Sequence, residues 1–320
     1  MEQSSIHAVH PGARLRALMN DHCVAAPGAY NGLVARAVAQ AGFEASYVSG
    51  AAVTASAGLP DVGLVSLDGF CAIIRQVTAS SGLPVIADAD TGFGEAEMVA
   101  RTVYAYHDAG AAGLHIEDQV FPKRCGHLDG KQLVSIDHFQ EKIAAAARAR
   151  DACSRGSFIV CARTDARAVE GVDGAIARSK AYIDAGADMI FPEGLTSEAE
   201  FGQVAEALKN HPLPDAGSKR NEEPGRRGGP YLLANMTEFG KTPTLSVDRF
   251  AELGYDYVIF PVTTLRITMK AVADALATLH REESAEKILS EMQTRAELYT
   301  LLGYTPGEPW AYPNPTQPKQ

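Results

Sequence analysis

Three things are scarce in this 320-residue chain, and each scarcity closes off a class of protein. Cysteine is the first: Cys23, Cys71, Cys125, Cys153 and Cys161 are odd in number and widely spaced, with no CxxC pair. That excludes a disulfide framework and a structural zinc site, and it suits a reducing compartment. Long apolar runs are the second. None approaches a membrane span, and the opening MEQSSIHAVHPGARLRALMN lacks the apolar centre of a secretory signal. Positive charge is the third: 29 Lys and Arg stand against 39 Asp and Glu, a net charge of −10. Nucleic acid and anionic membrane are therefore poor partners, although a local group of cations could still bind a small anion. Arg14 and Arg16 are accompanied by Glu2 and Asp21, so a mitochondrial presequence has no support. A cytoplasmic location is the expectation, with the mitochondrial matrix as the alternative for a eukaryotic source.

What is present is apolar material enough for a large core, at 46% hydrophobic residues. It falls into eight short runs: Val24–Ala29, Ala45–Ser49, Leu83–Asp90, Ala112–Asp118, Phe158–Asp165, Asp188–Glu193, Tyr231–Asn235 and Tyr255–Pro261. Continuous apolar runs of this length suit strands buried on both faces of a parallel sheet. Amphipathic stretches lie between them, including 66–81, 95–109, 135–153 and 173–185. Asn31, Ser66, Ser135 and Ser246 are plausible helix N-caps, Ser197 and Glu200 a possible capping box, and Gly42, Gly82, Gly110, Gly186 and Gly254 plausible stops. Eight strands alternating with helices predict an α/β protein, a (β/α)8 TIM barrel. A doubly wound open sheet is the runner-up, but no GxGxxG follows the first strand. Residues 1–283 would form the barrel, and 284–320 an extension that is helical in pattern over 286–302 and ends in a proline-rich tail. The segment 211–230 precedes the seventh strand, which puts Lys219, Arg220, Arg226 and Arg227 on the face opposite an active site.

In a barrel the C-terminal strand ends carry the chemistry. Here they read Tyr47-Val48-Ser49-Gly50, Asp88-Ala89-Asp90, Glu117-Asp118, Arg163-Thr164-Asp165, Glu193 and Asn235. Asp88 and Asp90, two apart, should point to one face, a pair suited to Mg²⁺; capping a loop or pairing with arginine is the other reading. Glu117 and Asp118 could hold a metal's waters or a lysine, or pair structurally. Arg163 and Arg266 could each grip a carboxylate or balance a neighbouring acid. His115 shares a face with Glu117, as a supporting group or a core histidine. Cys161 lies inside an apolar strand and reads as packing. Cys125 differs: Lys123-Arg124-Cys125-Gly126-His127 sets a thiol among cations in a polar segment, which should lower its pKa and allow nucleophilic or acid–base use. Gly126 and Gly130 suit a loop, 119–134, that closes over substrate.

Tyr47-Val48-Ser49-Gly50, Asp88-Ala89-Asp90-Thr91-Gly92-Phe93-Gly94, His115-Ile116-Glu117-Asp118-Gln119 and Lys123-Arg124-Cys125-Gly126-His127 together resemble the isocitrate lyase/phosphoenolpyruvate mutase superfamily, from about Pro11 to Tyr304. The thiol loop is similar to that of its lyase branch, and the phosphonomutases lack this cysteine. The resemblance implies Mg²⁺ (or Mn²⁺) and cleavage of 2-methylisocitrate to pyruvate and succinate, a step of propionate breakdown. It also implies a homotetramer, a dimer of dimers, with the eighth helix swapped between subunits. Asp88 and Asp90 would hold the metal, with Asp61 and Glu117 behind its waters. Tyr47, Ser49, Gly50 and Ala51 would take the pyruvate-forming end, and Arg163 a carboxylate. His127, Glu193, Asn235, Thr237 and Arg266 would surround the succinate-forming end. Cys125, in a loop with Lys123, Arg124 and Gly126, would protonate the succinate carbanion, and Tyr47 would be the hydroxyl base. Dimethylmalate or alkylmalate lyase, isocitrate lyase and oxaloacetate hydrolase share these motifs; a phosphonomutase or a non-catalytic binding protein fits less well. Ala51, the long 211–230 loop and the tail after Tyr304 depart from the pattern.

Overall fold

Each apolar run contains a short strand: β1 (Val24–Pro27), β2 (Ser46–Val48), β3 (Val85–Asp88), β4 (Gly113–Glu117), β5 (Ile159–Thr164), β6 (Met189–Pro192), β7 (Tyr231–Asn235) and β8 (Tyr257–Phe260). The computed structural model describes residues 9–123, 130–214 and 229–310. All strands pair in parallel in the order β1-β8-β7-β6-β5-β4-β3-β2. A bridge between Gly28 and Tyr47 brings β1 beside β2 and all but closes the barrel. Alternation along the strands sends Tyr47, Ile86, Ile159, Cys161, Met189, Phe191, Leu233, Tyr257 and Ile259 into one cluster inside the barrel. The opposite faces pack beneath the helices in a second, larger cluster. Cys161 is fully buried in the inner cluster, as its apolar strand predicts.

The helices are α1 (Pro11–Asp21), α2 (Gly32–Gln40), α3 (Gly50–Ser56), α4 (Leu67–Ser81), α5 (Ala96–Asp108), α6 (Ile136–Ser154), α7 (Arg167–Asp184), α8 (Glu198–Leu208), α9 (Val247–Leu253), α10 (Thr263–Glu282) and α11 (Arg295–Leu302). Asn31, Ser66, Ser135 and Ser246 cap their helices as expected, each side chain accepting a backbone N–H. Each such cap contributes about 1 kcal/mol. The expected box at Ser197 is only half formed: Ser197 accepts from the Glu200 amide, but the Glu200 carboxylate turns to Thr196 N–H and Arg167. The reciprocal box is at Thr294 and Glu297 instead. It starts α11 afresh, so 286–302 is a 3-10 turn (Glu286–Glu291) followed by a separate helix rather than one helix.

Two elements lie outside the simple alternation. Helix α1 seals the N-terminal end of the barrel: Leu15 and Met19 join the inner cluster. Arg16 reaches Asp188 at 2.9 Å, and Arg150 reaches the same carboxylate at 2.7 Å. Helix α10 buries no residue, and Ile267, Met269, Val272, Leu276 and Leu279 stand exposed along it. Residues 211–214 and 229–230 leave and rejoin the barrel at its N-terminal face, as expected; Lys219, Arg220, Arg226 and Arg227 lie outside the described residues. No helix among the described residues is long and apolar enough to cross a membrane.

Candidate active site

The C-terminal strand ends meet in a cavity of about 60 Å³ lined by Tyr47, Ser49, Ala51, Asp61, Asp88, Lys123, Arg163, Phe191, Glu193, Asn235, Thr237, Ile259, Pro261 and Val262. A larger cavity, about 390 Å³, opens at the other end beside Met19, Asn20 and Asp256. Only the small one gathers charged strand ends.

Asp88 ends β3, and its Oδ1 accepts the Asp90 amide at 2.9 Å. The strand does not run on to Asp90 as the sequence reading had it. Asp90 adopts a left-handed φ of 47°, and this turn, not strand alternation, brings the two carboxylates together. Both face Gly50, whose amide donates to Asp88 Oδ2 at 3.1 Å. A Cβ there would stand 2.5 Å from Asp88 Oδ2 and 3.4 Å from Asp90 Oδ1. Ser49 caps α3 by accepting the Ala52 amide. Lys123 is buried, its Nζ 2.6 Å from Asp90 and 2.7 Å from Asp61. Its charge is thus paired with two acids. Burial raises both aspartyl pKa values. Lys123, Arg163, His115 and the Asp90 amide bring Asp88 down to about 2, while Asp90, beside Asp88, is left at about 6.

Strand pairing sets Glu117 beside Arg163 and His115 beside Asp88. Arg163 faces three acids, at 2.9 Å from Asp165, 3.2 Å from Glu117 and 3.7 Å from Glu193, with its guanidinium 5.0 Å from the centre of the Phe191 ring. Among the described residues both Glu117 oxygens are buried without a well-directed hydrogen bond, and burial pushes the carboxyl well above its usual range. His115, lowered to about 4 by burial, is neutral at neutral pH. Its Nε2 lies 2.6 Å from the Tyr47 hydroxyl and 3.7 Å from Asp88, and its Nδ1 has no hydrogen-bond partner among the described residues. We assign the proton to Nε2, where a carboxylate and a phenol oxygen can receive it. The Tyr47 O–H is then left to donate into the cavity. Burial raises the Tyr47 pKa well above 10, which suits a donor and not a base. Asn235 donates to Glu193 at 3.1 Å, and Thr237 lines the wall.

Arg266 is not brought into the cavity. Its side chain is 49% exposed at the start of α10, 3.7 Å from Glu238 and stacked over Phe239. Arg124, Cys125, Gly126 and His127 lie outside the described residues. Lys131 is the residue the sequence reading missed: its Nζ is 2.7 Å from Asp165 Oδ1, at the fifth strand end, both side chains buried.

Six acids (Asp61, Asp88, Asp90, Glu117, Asp165, Glu193) thus surround three cations (Lys123, Lys131, Arg163) among the described residues. No three of the described His, Cys, Asp or Glu side chains close on a single point as a ready metal cage. The surplus of hard oxygen donors, with the buried Glu117 oxygens unsatisfied, nevertheless fits a divalent cation of the Mg²⁺ kind. Such an ion takes one or two carboxylates and keeps its waters.

A parallel barrel with acids, an arginine and a lysine converging on its C-terminal mouth has the form of a (β/α)8 enzyme. The family model described as phosphoenolpyruvate phosphomutase matches residues 15–280, and the chain belongs to that family. A probable 2-methylisocitrate lyase of Corynebacterium glutamicum is 50% identical over 288 residues, 90% of this chain and 87% of that protein. A crystal structure of 2,3-dimethylmalate lyase superposes with a TM-score of 0.81 at 38% identity, covering 92% of each chain. A phosphonopyruvate hydrolase solved with oxalate and Mg²⁺ superposes with a TM-score of 0.76 at 30% identity, covering 92% of this chain and 95% of that one. Within its family the chain is an enzyme of the carbon–carbon lyase kind.

Proposed function

We propose that this enzyme cleaves 2-methylisocitrate to pyruvate and succinate, serving propionate breakdown, with Mg²⁺ held by Asp88 and Asp90 and with Asp61 and Glu117 behind its waters. The observation that carries this reading is the mouth itself: a buried acidic pair beside Arg163 and the Tyr47 hydroxyl, faced by Glu193, Asn235 and Thr237. The similarity to proteins named 2-methylisocitrate lyase, from 38 to 50% identical, supports the choice of substrate.

Cleavage breaks the bond between the carbinol carbon and its carboxylate-bearing neighbour. The hydroxyl would pass its proton to a carboxylate of the mouth as it becomes the ketone of pyruvate, and the electron pair would pass to the carbon that becomes a methylene of succinate. Mg²⁺, when bound, would stabilise negative charge on the hydroxyl oxygen. Tyr47, with its O–H free to donate, would hold the same end, as would Ser49, Gly50 and Ala51. Its raised pKa favours positioning over the base role. Arg163 would grip a carboxylate. Glu193, Asn235 and Thr237 would line the succinate side, and the electron-rich carbon would take its proton from the Cys125 thiol. Arg124, Gly126 and His127 would flank that thiol.

We further propose that the chain is cytoplasmic, consistent with the free thiols of Cys71, Cys153 and Cys161. Residues 1–283 would be the catalytic barrel and 284–320 an extension. The chain would form a homotetramer in which α10 is exchanged between subunits. An apolar stripe on a helix that buries nothing at home supports the exchange. A second reading, cleavage of 2,3-dimethylmalate, is favoured by the likeness to the lyase named for that acid.

The deciding experiment incubates the protein with Mg²⁺ and each acid separately: 2-methylisocitrate, 2,3-dimethylmalate, isocitrate and oxaloacetate. Pyruvate and succinate from the first, far faster than products from the others, are expected. Preferential oxalate and acetate from oxaloacetate would overturn the proposal.

A further inference from the structure

Lys131 sits in the return arm of the segment whose outgoing arm ends at Lys123. The two arms pair as a short antiparallel stem: Gln119 bridges Leu133, Val120 N–H donates to Gln132 C=O at 2.8 Å, and Val134 N–H donates to Asp118 C=O at 3.0 Å. Arg178 pins the base from outside, donating to Val134 C=O at 2.9 Å. From this stem the Lys131 side chain runs inward until it is 1% exposed, and its ammonium meets Asp165 Oδ1 at 2.7 Å. A lysine carries a large rotamer entropy and a large desolvation cost, so burial this deep needs a strong partner.

Asp165 is not Lys131's alone. Its Oδ2 accepts from Arg163 Nε at 2.9 Å, and its Oδ1 is shared between Lys131 and Arg163 Nη2, the latter at the longer 3.3 Å. The Asp165 amide is tied in turn to Asp118 Oδ1 at 2.9 Å, which fixes the backbone that carries the carboxylate. Arg163 therefore stands before three acids and is spared full commitment to the nearest because Lys131 takes the better share of Oδ1.

We propose that Lys131 is a positioning residue for carboxylate binding: by balancing Asp165 it leaves the Arg163 guanidinium oriented toward the cavity. Without Lys131, Oδ1 loses its shorter contact in a water-poor site, and Arg163 Nη2 is the donor already within reach. The guanidinium closes onto Asp165, turning away from Glu193 and the substrate side. The inference rests on the mouth being a carboxylate site, and the test separates the two.

The test titrates oxalate, a probe that a structural relative binds with Mg²⁺, into the Mg²⁺-loaded protein and its variants. Thermal melts and Mg²⁺ affinity are measured alongside. Lys131→Met should weaken oxalate about tenfold or more, the scale of one charge-assisted contact, while Mg²⁺ affinity stays at the wild-type value. Lys131→Arg, which restores the cation, should bind oxalate close to wild type. The double variant Lys131→Met/Asp165→Asn, which removes the surplus carboxylate, should regain most of the loss, an outcome that mere damage to packing would not give. In turnover the single variant should raise KM more than it lowers kcat. Wild-type oxalate affinity in Lys131→Met would overturn the inference, and so would a loss that neither Lys131→Arg nor the double variant relieves. No oxalate binding by the wild-type protein would instead overturn the reading of the mouth, and the inference with it.

Discussion

Replacing Gly50 by alanine tests the acidic pair with one methyl group. The new Cβ would lie 2.5 Å from Asp88 Oδ2 and 3.0 Å from its Cγ. To reach ordinary contact the carboxylate must retreat by roughly 0.9 Å, because overlap at the shorter distance is steeply repulsive. It has little freedom to do so: its other oxygen holds the Asp90 amide, and the group is buried. The retreat also stretches the 3.1 Å hydrogen bond from the Gly50 amide. Gly50 does not need a left-handed φ and opens α3, where alanine is the better helix former by up to about 1 kcal/mol. Overpacking of a held, buried group costs about 1–3 kcal/mol, which the helix gain offsets only in part, so Tm should fall by a few °C at most. Function should not be spared. Moving one of two metal-suited carboxylates should weaken Mg²⁺ binding about tenfold or more, and displacement near 1 Å at the reacting centre should lower kcat/KM about a hundredfold. Calorimetric titration of Mg²⁺ and a coupled assay of pyruvate release read the two effects. A Gly50→Ala enzyme with wild-type metal affinity and turnover would show that Asp88 does not work where it stands.

Cys125→Ser should abolish turnover while Mg²⁺-dependent oxalate binding persists; full activity would refute the proton-donor role. His10, lowered to about 4 first by burial and then by His107 and Arg16, caps α1 by accepting the Gly12 amide at 3.0 Å. Its folded pKa lies below the unfolded 6.5, so its contribution is whole above pH 6.5 and lost as pH falls toward 4. Discounted for partial exposure, the loss is about 1–2 kcal/mol. His10→Asn, which keeps an acceptor that does not titrate, should therefore lose less Tm than wild type between pH 7.5 and 4.5, and equal losses would refute the assignment. Ile267→Glu with Leu276→Glu should break the assembly by charging the exposed stripe of α10. Light scattering that gives wild-type and variant the same mass would exclude the helix exchange.

The barrel was legible because parallel strands buried on both faces read as unbroken apolar runs, and their polar ends named most of the cavity. What escaped lies in tertiary geometry. The left-handed turn at Asp90 lies beyond period-two reasoning, which put the right pair together for the wrong reason. Lys131 looked like one polar residue among many, since its partner is 34 positions away. Arg266 follows the last strand as a ligand should, but α10 carries it outward to Glu238. The break before α11 was readable, because Thr294-x-x-Glu297 is a start signal inside what looked like a continuous helix.

The seal formed by α1 bears on the order of events in the proposed cleavage. With Leu15 and Met19 filling one end of the barrel and Asp188 clamped by two arginines beneath, nothing can leave downward. In the proposed cleavage both fragments would depart through the same mouth, where Tyr47 and Asp88, proposed for the pyruvate side, are deeply buried, while Asn235 and Thr237, proposed for the succinate side beside buried Glu193, are only half-buried. Succinate would then clear the exit before pyruvate follows. Traffic through a one-ended vessel imposes a queue, and product-inhibition kinetics would record it as succinate released first.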